Sequence, residues 1–243
     1  MTRLVVLVLP LALVACGGKA SPTFTVHTYG QGPTRTWVFE PSSRPKLIVL
    51  FVHGLGDKRE TTPYYHRPWL EHLALEGDEV VYPGYETFPY QPQGLKHLIQ
   101  GVAVALPHLQ KGLKVAAIGY SRGGRLVMDY ASVSALTGLA PARILSVFPS
   151  GIMDPLLNLG TLAGHAKVLI LAGDKDTTVG TIGASQLVTQ LAASGFPYRD
   201  VTFEAVRSHG TFVADHLSVL SDSPAAQQAY WARADRFFVP LAR

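Results

Sequence analysis

Charge, cysteine and long apolar runs are all scarce in this sequence. Only 16% of the 243 residues are charged and 47% are hydrophobic, a composition that excludes a disordered protein and predicts a packed core. Lysine and arginine number 21 against 17 acidic residues, and no basic run is longer than Lys58-Arg59. The sequence therefore offers no basic stripe for a nucleic-acid partner, and the net charge of +4 indicates a mildly basic, solvated surface.

The longest apolar run, residues 4–14, follows Arg3 and has eleven positions, about half of what a membrane-spanning helix needs. A basic residue followed by a short apolar run at the start of a chain is typical of a targeting segment that is removed. Residues 1–15 are therefore predicted to be a signal peptide. Cys16, the only cysteine, follows directly, so the remaining chain has no internal disulfide and depends on its core for stability.

The end of this segment, Leu-Val-Ala-Cys at residues 13–16, resembles the bacterial lipoprotein signal. That resemblance implies that Cys16 is acylated, becomes the new N-terminus and attaches the protein to a membrane of the cell envelope. Gly17 after the cysteine resembles the pattern for sorting to an outer membrane, where the cell has one. The alternative is an ordinary secretory signal with a chance cysteine near its cleavage site.

Residues 16–22 are predicted to be a lipidated tether, and residues 23–243 one domain in which strands alternate with helices. Two polar-apolar alternating strands, 23–29 and 34–39, are joined by a Gly-Gln-Gly-Pro turn and are expected to be exposed edge strands. Residues 46–52 are continuously apolar, as in a central strand covered on both faces. Strands separated by helices indicate a mostly parallel sheet. The further strands expected are 79–82, 114–120, 144–148, 167–172 and 201–206.

The sharpest motif is Gly-Tyr-Ser-Arg-Gly-Gly at residues 119–124, a G-x-S-x-G pattern between a predicted strand and a predicted helix. A strand that turns abruptly into a helix holds its serine in a strained conformation with the hydroxyl above the sheet. Glycines two residues away on either side remove steric collisions at this turn. Ser121 is thus the candidate nucleophile, and the Arg122 N–H, at the start of the helix, is a candidate donor to an oxyanion.

A serine nucleophile needs a histidine base and an acid from other loops at the same end of the sheet. Two later strands end in suitable residues: strand 167–172 is followed by Asp174 and Asp176, and strand 201–206 by His209. The carboxyl ends of parallel strands are where an open α/β sheet carries its functional loops. His209 is the predicted base, because it follows its strand at once. His216, expected on or near a helix, is the alternative.

Together with the Ser121 motif, residues 53–56 (His-Gly-Leu-Gly), 173–176 and 208–210 resemble the α/β-hydrolase superfamily over nearly all of the chain after Cys16. The resemblance implies the α/β-hydrolase fold, a mostly parallel sheet with helices on both faces. It implies that Leu55 donates the second oxyanion N–H and that His53 supports its loop. It also selects Asp176 as the triad acid, because the family's acid stands three residues after the glycine that closes the preceding strand, and leaves Asp174 a structural role.

The segment 149–166 has only 18 residues, which leaves no room for a lid domain. Apolar residues there and in the loop 83–94 could flank an acyl pocket or simply cover the sheet. No metal-ligand spacing is found among the nine histidines, and no cofactor is expected. The expected activity is hydrolysis of small carboxylic esters through Ser121, Asp176 and His209. The alternatives are a serine peptidase or thioesterase of the same fold, and a non-catalytic envelope lipoprotein.

Overall fold

A computed structural model of the protein describes residues 21–56, 58–86, 93–151 and 157–242. The predicted signal peptide and Cys16 lie outside these residues. Within the described ranges, no helix combines the length and the apolar character required to span a bilayer.

One eight-stranded sheet organises the chain, in the spatial order β1-β2-β4-β3-β5-β6-β7-β8. The strands β1 and β2 form an antiparallel hairpin, and β2 is antiparallel to β4. The other six strands, β3 to β8, are parallel to one another. The central strands are rich in Val, Ile and Leu and are buried on both faces, as the sequence predicted. The strands are β1 (Phe24–Tyr29), β2 (Thr36–Pro41), β3 (Ile48–Val52), β4 (Glu79–Pro83), β5 (Val115–Tyr120), β6 (Arg143–Val147), β7 (Lys167–Gly173) and β8 (Val201–Val206).

Helices cover both faces of the sheet and divide the core into two layers. One face packs against α2 (Gly94–Ala105), α3 (Arg122–Val133) and α4 (Ile182–Ala193). The other face packs against α1 (Arg67–Leu75) and a C-terminal helical stretch. That stretch consists of α5 (Pro224–Ala226), a π-helical segment (Gln227–Trp231) and α6 (Ala232–Phe238). The mostly parallel sheet with helices on both faces is confirmed.

The structure corrects one prediction about the first hairpin. The turn and both strands form as expected, but only β1 is an edge strand. The inner strand, β2, also pairs with β4, from Thr36 opposite Pro83 to Phe39 opposite Val80. Alternating polarity in β2 predicts exposure at an edge, which this pairing contradicts. The alternation arises instead because a strand inside a sheet still turns its two faces to different surroundings.

The strand order reverses between β3 and β5, and this reversal locates the site. From β3 the chain first adds β4 on one side, then crosses back to add β5 on the other. The loops that follow β3 and β5 therefore leave the sheet side by side and in opposite directions. Such a switch point is where open α/β sheets form a crevice for ligands.

A buried carboxyl group makes the stability of this fold dependent on pH. Asp78, just before β4, is 8% exposed, and burial raises its pKa to about 7, with the nearby carboxylates of Asp235 and Glu76 adding to the rise. In the unfolded chain the group returns to its ordinary value of 3.8. Between these two pH values the folded state binds more protons than the unfolded state, so stability falls as pH rises from about 4 through 7.

The side chain of Asp78→Asn cannot ionise. We therefore expect the free energy of unfolding of this variant to exceed that of the parent protein by about 2–4 kcal/mol at pH 8 and to equal it near pH 4. Urea denaturation across this pH range measures the difference. Asp222→Asn, at an exposed carboxylate, is the matched control and should leave the pH profile unchanged. A gain for Asp78→Asn that is the same at every pH would contradict the explanation.

Candidate active site

Ser121 lies at the turn between β5 and α3 in a strained backbone conformation. Its φ of 55° and ψ of −120° are values that residues with a side chain rarely adopt. Hydrogen bonds to the end of β6 and to the loop after it hold the turn: the Ser121 N–H donates to the Val147 carbonyl (2.9 Å), and the Ser150 N–H donates to the Ser121 carbonyl (3.0 Å). The predicted strand-to-helix turn is present.

The two flanking glycines are required by close packing at this turn. A Cβ atom on Gly119 would overlap the carbonyl oxygen of Gly123, the second residue of α3. A Cβ atom on Gly123 would overlap the carbonyl oxygens of Val52 and His53, at the end of the neighbouring strand β3. The G-x-S-x-G spacing thus lets α3 start directly against β3 and β5.

His216 is the imidazole that lies against Ser121. Its Nε2 is 2.9 Å from the Ser121 Oγ, and its Nδ1 is 2.9 Å from Oδ2 of Asp176. A carboxylate only accepts hydrogen bonds, so Nδ1 carries the proton and donates to Asp176, which leaves Nε2 to accept the hydroxyl proton of Ser121. The serine, the histidine and the acid are all buried, with exposed fractions of 7–8%.

Asp176, not Asp174, contacts the imidazole. The other oxygen of Asp176, Oδ1, accepts the backbone N–H groups of Thr178 (2.8 Å) and Val179 (3.1 Å), which fix the carboxylate in place. Asp174 instead accepts hydrogen bonds from the hydroxyl and backbone N–H of Ser208, and these hold its pKa below the ordinary value. The structure thus places Asp176 where the resemblance put the acid and gives Asp174 a loop contact.

The structure corrects the choice of His209 as the partner of Ser121. After β8 the chain first makes a tight turn, in which the backbone groups of His209 and Phe212 hydrogen bond to each other and Gly210 has a positive φ. His209 is exposed, packs on the Phe212 ring and lines a separate surface cavity of about 220 Å³ together with Arg233. The turn sends the chain back toward the sheet, so that the later residue, His216, reaches the serine.

The loop after β3 runs beside Ser121, as the oxyanion prediction requires. A Cβ atom placed on Gly54 would lie 3.3 Å from the Ser121 Cβ. Leu55, the next residue, has a side chain that is 46% exposed. Arg122, the other predicted donor, is the first residue of α3. Both residues therefore adjoin the serine, and their role as oxyanion donors stays a prediction.

A buried ion pair lies next to Ser121. The Arg122 Nε is 2.6 Å from Oε1 of Glu86, and both side chains are at most 3% exposed. Glu86 belongs to the loop after β4, and the start of α2 closes over the pair, since a Cβ on Gly94 would meet both side chains at 3.0–3.1 Å. The side chain of Arg122 is thus fixed within the protein, and the position of its backbone next to Ser121 is fixed with it.

Sequence reasoning missed several residues that hold His216 in place. The Tyr120 hydroxyl donates to the His216 carbonyl (2.9 Å), and the rings of Tyr120 and Phe148 lie 5.2 and 6.0 Å from the imidazole. Phe148 has a positive φ of 49°, a second strained residue beside the site. The sequence offered one signal against His209, which adjoins the turn glycine Gly210. The alternating burial of residues 212–218 that includes His216 is visible only in the structure, because the exposed positions include Val213 and Leu217.

The loops proposed to flank an acyl pocket are described only in part. Residues 87–92 and 152–156, which include Phe88, Tyr90 and Ile152, lie outside the described residues. Tyr85 is fully buried and its hydroxyl donates to the His53 carbonyl (2.7 Å), a packing and loop-supporting position. In the part of the chain that the structure describes, no cluster of three or more His, Cys, Asp or Glu side chains could hold a metal ion.

Comparison with known proteins identifies the fold. No protein-family description and no curated protein matches the sequence. Solved structures do match: esterase B from Lactobacillus rhamnosis, inhibited by a tributyrin phosphonate, has a TM-score of 0.67 at 16% identity, over 92% of this chain and 87% of that one. Carboxyl esterase 2 from Tuber melanosporum has a TM-score of 0.67 at 16% identity, over 94% and 89% of the two chains.

A putative dienelactone hydrolase from Klebsiella pneumoniae has a TM-score of 0.61 at 16% identity, over 90% of this chain and 98% of that one. These similarities extend over nearly the whole described chain. Together with the sheet order and the strained serine turn after β5, they show that the protein has the α/β-hydrolase fold.

Proposed function

We propose that the protein is a serine hydrolase that cleaves small carboxylic esters, with Ser121, His216 and Asp176 as its catalytic triad. The observation that carries the proposal is the continuous chain of hydrogen bonds from the strained serine through the imidazole to the buried carboxylate. A fold alone does not define an activity, but these three side chains have the geometry that acyl transfer requires. The esterases among the structural neighbours support an ester as the substrate.

The proposed reaction begins when Ser121 attacks the ester carbonyl carbon and His216 takes the hydroxyl proton at Nε2. Asp176, hydrogen bonded to Nδ1, stabilises the imidazolium that forms. The negative charge of the tetrahedral intermediate lies on the former carbonyl oxygen, where the N–H groups of Leu55 and Arg122 are proposed to bind it. His216 then returns the proton to the leaving alcohol, and water hydrolyses the acyl-enzyme by the same steps.

The two histidines give the first test. In this reaction His216→Ala removes the base, so kcat for a short-chain ester should fall on the order of 10⁴-fold or more, as should that of Ser121→Ala. His209→Ala is the matched control, because His209 is exposed and its ring packs on Phe212, and it should keep the parent kcat. A loss of activity in His209→Ala that equals the loss in His216→Ala would contradict the assignment.

A fluorophosphonate probe tests the nucleophile without a choice of substrate. The parent protein should be labelled on one serine, and Ser121→Ala should not be labelled at all. Failure of the folded parent protein to react would instead favour a non-catalytic role. Parallel assays with thioester and amide substrates then decide between an esterase and the thioesterase or peptidase alternatives.

The two aspartates give the next test, because a neutral, isosteric change affects a triad acid and a loop-forming acid differently. Asp176→Asn should lower kcat by about 10⁴-fold, since the amide no longer stabilises the imidazolium or selects its tautomer. Asp174→Asn should act on thermal stability through its Ser208 contacts and keep kcat. If kcat fell mainly in Asp174→Asn, with both variants folded, the triad assignment would be wrong.

We further propose that Cys16 is acylated and anchors the enzyme in the cell envelope. The support is the apolar run before Cys16 and the absence of any other cysteine in the sequence. Cells fed a labelled fatty acid should incorporate it into the parent protein, whereas Cys16→Ser should carry no label and should be left unprocessed or mislocalised. An acyl label that persists on Cys16→Ser would refute the anchor.

A further inference from the structure

The loop that carries Leu55 is bound by buried polar side chains on the side away from the solvent. The peptide group between His53 and Gly54 is held at both ends. Its N–H, on Gly54, donates to Oε1 of Glu60 (3.2 Å), and its C=O, on His53, accepts from the hydroxyl of Tyr85 (2.7 Å). Glu60 is 4% exposed and Tyr85 is fully buried, so water does not compete for these bonds.

The next peptide group, between Gly54 and Leu55, is oriented by a third bond. The Gly54 carbonyl lies 2.7 Å from Nδ1 of His53, which must donate to it. The N–H and C=O of a trans peptide point in opposite directions. The N–H of Leu55 therefore points away from the His53 ring, on a loop that borders Ser121. Its direction depends on the plane of the preceding peptide, which Glu60 and Tyr85 hold.

We propose that Glu60 is a positioning residue for the reaction, because its buried carboxylate fixes the Gly54 N–H and thereby the direction in which Leu55 presents its N–H to the oxyanion. This inference rests on the proposed function of Ser121. Glu60 does not touch the reacting atoms. It acts through the backbone of residues 53–55, and no motif in the sequence indicates it.

The surroundings of Glu60 keep its carboxylate charged and in place. Its Oε1 also accepts a hydrogen bond from Nε2 of His66 (3.0 Å), whose ring is buried against Phe51 and Tyr120. Burial by itself would raise the pKa of Glu60, but the hydrogen bond and positive potential of His66 hold that pKa below its ordinary value. Gly56 leaves space for the carboxylate, since a Cβ there would lie 3.1–3.2 Å from the Glu60 side chain.

A kinetic comparison of Glu60 variants tests this role. Oxyanion donors act in the transition state and little in the ground state, so Glu60→Ala should lower kcat by about 10- to 100-fold and leave KM unchanged. Glu60→Gln keeps an oxygen acceptor for the Gly54 N–H and should restore most of kcat. An unchanged kcat in Glu60→Ala, a loss confined to KM, or a failure of glutamine to restore activity would each overturn the proposal.

Glu79 provides a matched control for the loss of a buried glutamate. It is 2% exposed and accepts a hydrogen bond from the backbone N–H of Gln110 (3.0 Å). Glu79 is the first residue of β4, so it lies at the amino ends of the parallel strands, whereas Ser121 lies at their carboxyl ends. Glu79→Ala should lower the melting temperature and keep kcat. Equal losses of kcat in Glu79→Ala and Glu60→Ala would show a general effect of destabilisation and overturn the role of Glu60.

Two further measurements keep the test decisive. If Glu60→Ala fails to fold, Tyr85→Phe replaces it in the test. This change removes only the hydroxyl that binds the other end of the same peptide group. A lower kcat at unchanged KM supports the positioning role, and a parent-like kcat overturns it. Fluorophosphonate labelling of the parent protein is measured first. An unlabelled Ser121 would refute the proposed function itself, whereas a labelled parent with a fully active Glu60→Ala would refute this inference alone.

Discussion

The rest of the site depends on the strained turn at Ser121. A residue with a side chain at a φ of 55° costs about 1–3 kcal/mol, and it persists only where the surrounding structure supplies compensating contacts. Here they come from backbone hydrogen bonds to Val147 and Ser150 and from the close approach that Gly119 and Gly123 allow. The strained turn keeps the hydroxyl at the carboxyl ends of the strands, where His216 contacts it.

Buried charge surrounds this turn. Arg122 and Glu86 form an ion pair next to the serine, Asp176 lies beside His216, and Glu60 bonds to the loop that carries Leu55. Charged groups in an apolar interior cost stability unless hydrogen bonds and opposite charges satisfy them. Each of these carboxylates has such partners. A gain in stability does not explain these charges, since well-packed apolar side chains of similar volume often stabilise a fold as much or more. Their common effect is to fix backbone positions around Ser121.

Much of the fold was predictable because its signals are local. Continuous apolar runs mark the buried strands, and a Gly-x-Ser-x-Gly pattern after one of them marks the turn into a helix. The order of strands in space was not predictable to the same degree. Polarity along β2 has the same alternation whether one neighbour or two pair with it, so the sequence did not reveal that β2 lies between β1 and β4.

The sequence by itself determined the serine and its turn, because two glycines, a buried strand and a following helix are all adjacent along the chain. Only the tertiary structure decided which histidine contacts Ser121 and which side chains bind the loop that carries Leu55. His209 and His216 are seven residues apart, and the choice between them depends on the turn at Gly210, which reverses the chain before it reaches Ser121. Glu60 bonds to the Gly54 N–H outside any regular helix or strand, and contacts of that kind arise from packing and leave no periodic pattern in the sequence.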